Sequence, residues 1–363
     1  MVAACGGAKT PPPATAASAA AVAPPPAQEP APGAAGPTIL AQVVVGQAHS
    51  CALVSDGSVT CWGQNMHGQA KAPGHKYVQI SAGTIHTCAL AADAHVDCWG
   101  FNGDGRIDPP AESYAQISLG HDHSCGVTTH GEVLCWGNND KDQASPPPTD
   151  GFMQVSAGHD HSCAVKTDGT IVCWGENSSG QCTPPAGQFI QVSAGGEHSC
   201  AIDKDGKLHC WGRDKEGELN VPEGKFVQLS AGAFHTCALR DDKTAHCWGA
   251  GEAGATGLRN YGQSEAPKGE FTQVAAGERH SCAMSPEGWV ECWGNDASGR
   301  ATPPFELAPT KDRDAQPEAA PKPSGEGHRM MTPTPTSNKK LDPLDTPSMG
   351  GGGERTSPLS RER

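Results

Sequence analysis

The 363-residue sequence lacks the long apolar stretch of a membrane-spanning helix, since no window approaches 18 consecutive apolar residues. It also lacks long runs of Ala, Leu, Glu and Lys, the residues that favour helices. Charged residues make up only 18% of the chain, whereas 46 Gly and 31 Pro account for about a fifth of it. These features argue against a transmembrane protein and against a helical bundle. They favour an all-β protein with many turns.

Basic residues are scarce in the middle of the chain. The formal net charge is −14, and residues 38–305 hold 16 Lys and Arg against 30 Asp and Glu. Such a charge balance repels phosphate groups, so we expect neither nucleic acid nor anionic lipid headgroups as partners.

Motifs of common enzymes are missing as well. The sequence contains no phosphate-binding Gly-Lys loop, no Gly-x-Ser-x-Gly turn and no His-Glu-x-x-His helix. The polar residues that recur do so in every repeat, whereas an active site ordinarily breaks symmetry. We therefore expect no enzymatic activity, no cofactor and no bound metal.

An internal repeat dominates what is present. Each unit contains an alternating stretch such as YVQIS or FIQVS, then a His-x-Cys segment, a turn and a Cys-Trp-Gly segment. Period-two alternation predicts three short strands per unit, in seven units over about residues 38–305. One Trp per unit, expected to pack between units, recurs at Trp62, Trp99, Trp136, Trp174, Trp211, Trp248 and Trp293.

Two cysteines lie ten residues apart in every unit. If residues 55–57 form a three-residue hairpin loop ending in Gly57, Cys51 lies directly opposite Cys61, within reach of a disulfide. Ala94 and Lys243 replace this glycine in two units, where we expect strained or altered turns. The predicted disulfides are Cys51–Cys61, Cys88–Cys98, Cys125–Cys135, Cys163–Cys173, Cys200–Cys210, Cys237–Cys247 and Cys282–Cys292.

Reduced core cysteines and a metal site are the alternatives to these disulfides. A structural zinc site requires a fourth ligand and usually a Cys-x-x-Cys spacing, which the repeat does not supply. We interpret the repeated histidines as hydrogen-bonding residues at the start of a strand. They are His49, His86, His123, His161, His198, His235 and His280.

The remaining cysteines bear on the compartment. Seven structural disulfides require an oxidising environment. The residues VAAC at 2–5 resemble the lipobox of bacterial lipoproteins, which implies that Cys5 is lipidated and that an apolar signal segment lies upstream of Met1. Cys182 has no partner in its own unit, so we expect it to be free or to pair with another molecule.

The flanks of the repeats differ from them in composition. Residues 1–37 are rich in Ala and Pro, and residues 306–363 are rich in Pro, Gly and charge. Both compositions predict disordered segments, the first acting as a tether.

The phrase AGxxHSCALxxDGxVxCWGxNxxGQ, carried by residues 82–105 and 157–181, resembles the repeat of the regulator of chromosome condensation family. This resemblance covers all seven units and implies a seven-bladed β-propeller with three-stranded blades. The short units look like those of bacterial secreted members such as a β-lactamase inhibitory propeller. They differ from the longer repeats of the guanine-nucleotide exchange factors.

Binding residues are expected where the sevenfold repetition breaks. Unit six carries an insertion with Arg259, Asn260 and Tyr261, and exposed Arg and aromatic side chains on a long loop are typical of recognition surfaces.

A second irregularity is a pair of His-Asp dipeptides in units three and four. His121, Asp122, His159 and Asp160 offer metal-ligating groups on one face, although solvated loop polarity is the interpretation that we favour.

The sequence thus predicts a non-enzymatic, monomeric propeller outside the cytoplasm, either lipid-anchored in the bacterial cell envelope or secreted. We expect it to bind a protein or glycan through one loop face and to meet a membrane only through its lipid anchor. The alternative is an inhibitor of an extracytoplasmic enzyme, and nucleotide exchange on a small GTPase is a third hypothesis.

Overall fold

The computed structural model describes residues 40–252 and 259–309, which form seven three-stranded antiparallel sheets. Each sheet, or blade, contains three consecutive strands in sequence order. No helix in these ranges is long and apolar enough to cross a membrane. The prediction of an all-β, seven-bladed propeller with three-stranded blades is confirmed.

The strand bounds repeat closely from blade to blade. In chain order the strands are β1 (Leu40–Val45), β2 (His49–Val54), β3 (Val59–Gly63), β4 (Tyr77–Ala82), β5 (His86–Ala91), β6 (Val96–Gly100), β7 (Tyr114–Leu119), β8 (His123–Thr128), β9 (Val133–Gly137), β10 (Phe152–Ala157), β11 (His161–Lys166), β12 (Ile171–Gly175), β13 (Phe189–Ala194), β14 (His198–Asp203), β15 (Leu208–Gly212), β16 (Phe226–Ala231), β17 (His235–Arg240), β18 (Ala245–Gly249), β19 (Gln273–Ala276), β20 (His280–Met284) and β21 (Val290–Gly294). Short 3₁₀ helices cover Gly103–Gly105, Ala297–Gly299 and Phe305–Leu307.

The hairpin of each blade has the predicted register. Cys51 lies directly opposite Cys61, the Val54 N–H donates to the Ser58 carbonyl at 2.8 Å, and Gly57 adopts a left-handed φ of 86°. All seven disulfides are present, with Cα–Cα distances of 4.0 to 4.1 Å. The ten-residue spacing therefore reflects cross-strand pairing.

The two non-glycine hairpins keep this shape. Ala94 has a φ of 71° and Lys243 has a φ of 68°, so both occupy the left-handed region that disfavours residues with a Cβ. The expectation of strain at these turns is confirmed, whereas a different turn shape is not found.

The core consists of clusters that join each blade to the next. Trp99 of blade two packs in one cluster with Cys51 and Leu53 of blade one. Trp62 of blade one packs in the same way with Cys282 of blade seven, which closes the ring. The tryptophans thus pack between blades, as predicted, and they lie against the disulfide of the preceding blade.

A belt of buried histidines also links the blades. The His49 Nε2 lies 2.8 Å from the Thr87 hydroxyl of the next blade, and the Thr87 hydroxyl donates to the Gln69 carbonyl at 2.9 Å. Because the hydroxyl has one proton, it accepts from Nε2–H of His49. The same contact recurs at every interface, and His280 closes the belt on Ser50 at 2.8 Å. The repeated histidines are therefore hydrogen-bonding residues, as interpreted from the sequence.

Glutamines of the innermost strands form a second belt, which the sequence analysis did not recognise. The Gln79 Oε1 accepts from the Ile117 N–H of the next blade at 3.0 Å, and its Nε2 donates to the Ile117 carbonyl at 3.3 Å. The Gln273 Oε1 accepts from the Val43 N–H at 2.7 Å and completes the circle. Each glutamine side chain thereby hydrogen-bonds to the backbone of the next blade's first strand, as the backbone of a neighbouring strand would.

The C-terminal end of the described chain adds one further contact. Leu307 lies past the boundary expected at residue 305, yet it is buried in the cluster that holds Leu40 and Val290. The folded part of the chain therefore includes Leu307.

Acid is expected to unfold this protein through the histidine belt. Burial lowers the pKa of His49, His123 and His198 to about 4 and that of His86, His161 and His235 to about 3, and it also lowers the pKa of His280. These pKa values lie below the unfolded-chain value near 6.5, so the unfolded state binds more protons as the pH falls from 6.5 towards 4. The contribution of these histidines to the free energy of unfolding is fully present above about pH 6.5. Below this pH it decreases by up to roughly 1.4 kcal/mol per pH unit for each histidine.

Denaturant unfolding between about pH 7.5 and pH 4.5, with the disulfides intact, measures this slope. The slope is proportional to the number of protons that the chain takes up on unfolding. His86→Gln should lower this number by about one, whereas the exposed His130→Gln should leave it unchanged. A free energy of unfolding that is constant over this range would contradict the belt's role.

Relief of strain provides a second prediction. Ala94→Gly should raise the free energy of unfolding by up to about 1 kcal/mol, because glycine adopts a left-handed φ without steric cost, partly offset by its greater freedom in the unfolded chain. Gly131→Ala is the matched control, since the nearest atom to its added Cβ lies 3.5 Å away and only the φ of 81° is unfavourable. Equilibrium denaturation should show opposite signs for the two variants.

Candidate functional site

One face of the propeller carries the irregular side chains. In each blade a short turn joins the first strand to the second, and a polar loop follows the third strand. The Asn138 N–H donates to the Asp122 carbonyl at 2.9 Å, which holds such a loop against the turn of its own blade. We call the surface formed by these turns and loops the channel face, because the seven turns surround a central cavity of about 110 Å³.

Backbone groups close most of the channel mouth. The His121 N–H donates to the Gly158 carbonyl at 3.0 Å, and the His159 N–H donates to the Gly195 carbonyl at 3.0 Å. A Cβ on Gly83 would lie 2.3 Å from Cε1 of His86, so this position requires glycine. A ligand of ordinary size therefore meets side chains at the rim of the cavity and does not pass through it.

In each blade, the residue directly after the glycine that follows the first strand lies at the rim of the cavity. Blades five and six contribute little there, because their residues are small. In blade order the rim residues are Gln47, Thr84, His121, His159, Gly196, Ala233 and Glu278.

The insertion in unit six packs against the turn of its own blade. The Arg259 guanidinium carbon lies 3.9 Å from the centroid of the Phe234 ring, and that of Arg213 lies 5.8 Å from the same centroid. The Arg259 Nη1 also lies 4.0 Å from the Glu216 Oε1. Residues 253–258 of the insertion lie outside the described ranges.

Tyr261 extends this surface to blade seven. The Arg279 guanidinium carbon lies 5.7 Å from the centroid of the Tyr261 ring, and the Arg279 Nε lies 3.1 Å from the Glu278 Oε1. The Asn260 Oδ1 accepts from the Gly262 N–H at 3.2 Å. We call Phe234, Arg259, Tyr261 and Arg279 the insertion patch.

The turns of blades three and four bring two imidazole rings together. The ring centroids of His121 and His159 lie 3.8 Å apart. The His121 Nδ1 lies 2.8 Å from the Asp122 Oδ2, and the His159 Nδ1 lies 3.3 Å from the Asp160 Oδ2. The sequence identified these residues but not the contact between the two rings.

A buried cation supports this pair. Arg106, which is only 4% exposed, contacts the Asp122 carboxylate and donates from Nε to the Gly103 carbonyl at 2.8 Å. Burial opposes ionisation of Asp122, but the hydrogen bond from His121 and the charges of His121 and Arg106 lower its pKa to about 2. Asp122 is therefore an anion at neutral pH.

The remaining candidate residues have simpler surroundings. Cys182 is the one free cysteine in the ranges 40–252 and 259–309, and its thiol donates to the Glu176 carbonyl at 3.2 Å. Burial raises the pKa of this thiol to about 12, which disfavours the thiolate needed for crosslinking. Cys5 lies outside the described residues. Nowhere in the described chain do three or more His, Cys, Asp or Glu side chains form a group able to hold a metal ion.

Comparison with known proteins identifies the repeat. The sequence matches the family described as the Regulator of chromosome condensation (RCC1) repeat over residues 40–69, 77–106, 114–143, 154–181, 189–218 and 226–255. No curated protein matches the sequence significantly.

Solved structures resemble the fold. The ectodomain of the Physcomitrella patens receptor kinase CR4 matches with a TM-score of 0.61 and 26% identity, over 71% of this chain and 74% of that chain. The CRINKLY WD40 ectodomain of the Arabidopsis thaliana receptor kinase ACR4 matches with a TM-score of 0.58 and 24% identity, over 71% of this chain and 98% of that chain. Prp20p of Saccharomyces cerevisiae, described with its binding properties to Gsp1p and histones, matches with a TM-score of 0.58 and 21% identity. The match covers 76% of this chain and 85% of that chain.

The six matched segments correspond to the first six blades, and β19 to β21 add a seventh of the same construction. The chain therefore belongs to the regulator of chromosome condensation repeat family and folds as one of its β-propellers.

Proposed function

We propose that this propeller is a non-enzymatic binding protein that acts outside the cytoplasm and recognises a protein or glycan through its channel face. The insertion patch is the observation that carries the proposal. It is the place where an irregular loop packs against the turns of two blades and presents cationic and aromatic groups together.

The patch has the chemistry of an interaction hot spot. Arg, Tyr and Trp are the residues that most often dominate binding energies at interfaces. The side chains of Arg259 and Arg279 are each 42% exposed, so each is partly packed and partly open to solvent. Such partly fixed side chains lose less conformational entropy on binding.

The patch offers guanidinium groups beside carboxylates. Arg259 lies near Glu216 and Arg279 lies near Glu278, in a chain of net charge −14. A guanidinium stacked on an aromatic ring suits a carboxylate-bearing protein surface or the face of a sugar ring. Both ligand classes expected from the sequence fit this surface.

An extracytoplasmic location has two kinds of support. Seven disulfides persist in oxidising compartments, and the CR4 structure that resembles this fold at 26% identity is a receptor ectodomain. We further propose the finer assignment made from the sequence, a bacterial short-repeat propeller held to the cell envelope by a lipid on Cys5 or secreted.

An inhibitor of an extracytoplasmic enzyme would use the same channel face, so it is a special case of the binding proposal. Nucleotide exchange is less well supported. Prp20p, 21% identical to this chain, carries evidence about the fold alone.

Loss of the patch should weaken ligand capture. We expect Arg259→Ala/Tyr261→Ala to reduce recovery of partners from an extracytoplasmic fraction by at least roughly tenfold, since two hot-spot residues each contribute more than about 1 kcal/mol. The measurement is a pull-down with the full chain, followed by titration of the recovered partner.

Met66→Ala/Lys141→Ala is the matched control. It removes one exposed apolar side chain and one cation from the loops of blades one and three on the same face. Equal recovery with the patch variant and the wild type would reject the insertion patch as the binding site.

Thiol titration tests the compartment. Protein isolated from its native source with rapid alkylation should show at most two thiols when denatured, from Cys5 and Cys182, and 14 more after reduction of the seven disulfides. Fourteen or more thiols without reductant would place the protein in a reducing compartment and overturn the extracytoplasmic proposal.

A further inference from the structure

We propose that His121 and His159 bind one divalent transition-metal ion at the rim of the channel, with water completing its coordination. This inference concerns blades three and four and does not depend on the insertion patch of blades six and seven.

The backbone brings the two imidazoles together. Each histidine directly follows the glycine at the end of the first strand of its blade, and blades three and four are neighbours. The backbone N–H of each histidine donates to the glycine carbonyl of the next turn, which fixes the position of both residues at the rim. The ring centroids lie 3.8 Å apart with an angle of 46° between the ring planes, so small side-chain rotations bring one nitrogen of each ring within reach of one ion.

The carboxylates orient both rings for metal binding. The Nδ1 of His121 faces Asp122 and the Nδ1 of His159 faces Asp160, so each Nδ1 carries the proton and donates it. This leaves the lone pair of each ring on Nε2, for which no hydrogen-bond partner is found among residues 40–252 and 259–309. Metal-binding histidines typically have a carboxylate bonded to the second ring nitrogen in this way.

Charge at the rim favours a cation. Asp122, Asp160 and Glu278 are acidic residues of the channel-face turns, and Arg106 is already paired with Asp122. Imidazole nitrogens suit Zn²⁺, Ni²⁺ and Cu²⁺ better than Mg²⁺ or Ca²⁺. Because the described residues provide no third protein ligand in position, the site is open to solvent or to an external ligand.

A second histidine pair provides an internal comparison. The Asp97 carboxylate lies 2.9 Å from the His75 Nδ1 and 2.9 Å from the His95 Nε2, at the hairpin end of blade two. One carboxylate there separates the two imidazoles, whereas the rings of His121 and His159 contact each other directly, with an angle of 46° between their planes. We therefore expect the metal at blades three and four.

Calorimetric titration of the full chain with Zn²⁺ at about pH 8, well above the pKa of free imidazole, tests the proposal. The alkaline pH is chosen because burial lowers the pKa of His159, but the hydrogen bond to Asp160 and the nearby carboxylate charges outweigh burial and raise it. We expect one ion per chain, and we expect this binding to be lost in His121→Gln and in His159→Gln. Asp160→Asn should weaken it roughly 10- to 100-fold by disturbing the orientation of His159. Asp160 suits this test because, unlike Asp122, it does not hold the buried Arg106.

The controls separate this site from others on the chain. His130→Gln, His75→Gln/His95→Gln and the Arg259→Ala/Tyr261→Ala patch variant should each keep the wild-type affinity for Zn²⁺. Far-ultraviolet circular dichroism and unfolding midpoints should confirm that His121→Gln and His159→Gln fold normally, since both side chains lie at the rim and not in the histidine belt.

Three results would overturn the proposal. They are the absence of stoichiometric binding with Zn²⁺, Ni²⁺ and Cu²⁺, binding that persists at wild-type affinity in both single variants, and loss of binding in His75→Gln/His95→Gln alone.

Discussion

The hydrogen bond between a buried histidine of one blade and a Ser or Thr hydroxyl of the next is the interaction on which the rest of the structure depends. The hydroxyl in turn donates a hydrogen bond to a loop carbonyl, which also accepts one from a tryptophan. Thr87 and Trp99, for example, both donate to the Gln69 carbonyl. One contact thereby joins two blades and fixes the loop that follows the first. Three-stranded blades have thin cores, so this buried network and the disulfide beneath each tryptophan provide much of what a larger hydrophobic core would supply.

The same network determines which positions of the repeat can vary. Histidine, hydroxyl, glycine and tryptophan are required in every blade, so they are not free to differ. At five of the seven rim positions the backbone N–H of the residue after the glycine donates to the next turn, and the side chain at this position varies from Gln47 to Glu278. A rigid ring with variable rim positions suits recognition, because the scaffold holds each side chain in place without depending on its identity.

The channel face is divided chemically. Blades six and seven carry guanidinium groups on aromatic rings, whereas blades three and four carry paired imidazoles with carboxylates behind them. Blade five separates the two regions with the small rim residue Gly196. A large partner could cover both regions, and a small ligand would meet only one. An ion held at the rim would add a fixed positive charge opposite the arginines.

Some of this could be predicted from the sequence, because it depends on residues close together in the chain. The ten-residue spacing and the loop glycine determine which cysteines oppose each other, and period-two alternation determines the strands. Contacts between blades join residues about 38 positions apart, and their geometry depends on how the whole ring closes. The sequence therefore places Gln79 at a polar position of a strand without indicating its bridge to Ile117, and it does not place the rings of His121 and His159 against each other. The sequence by itself determined the blade; only the closed ring decided which side chains of different blades meet.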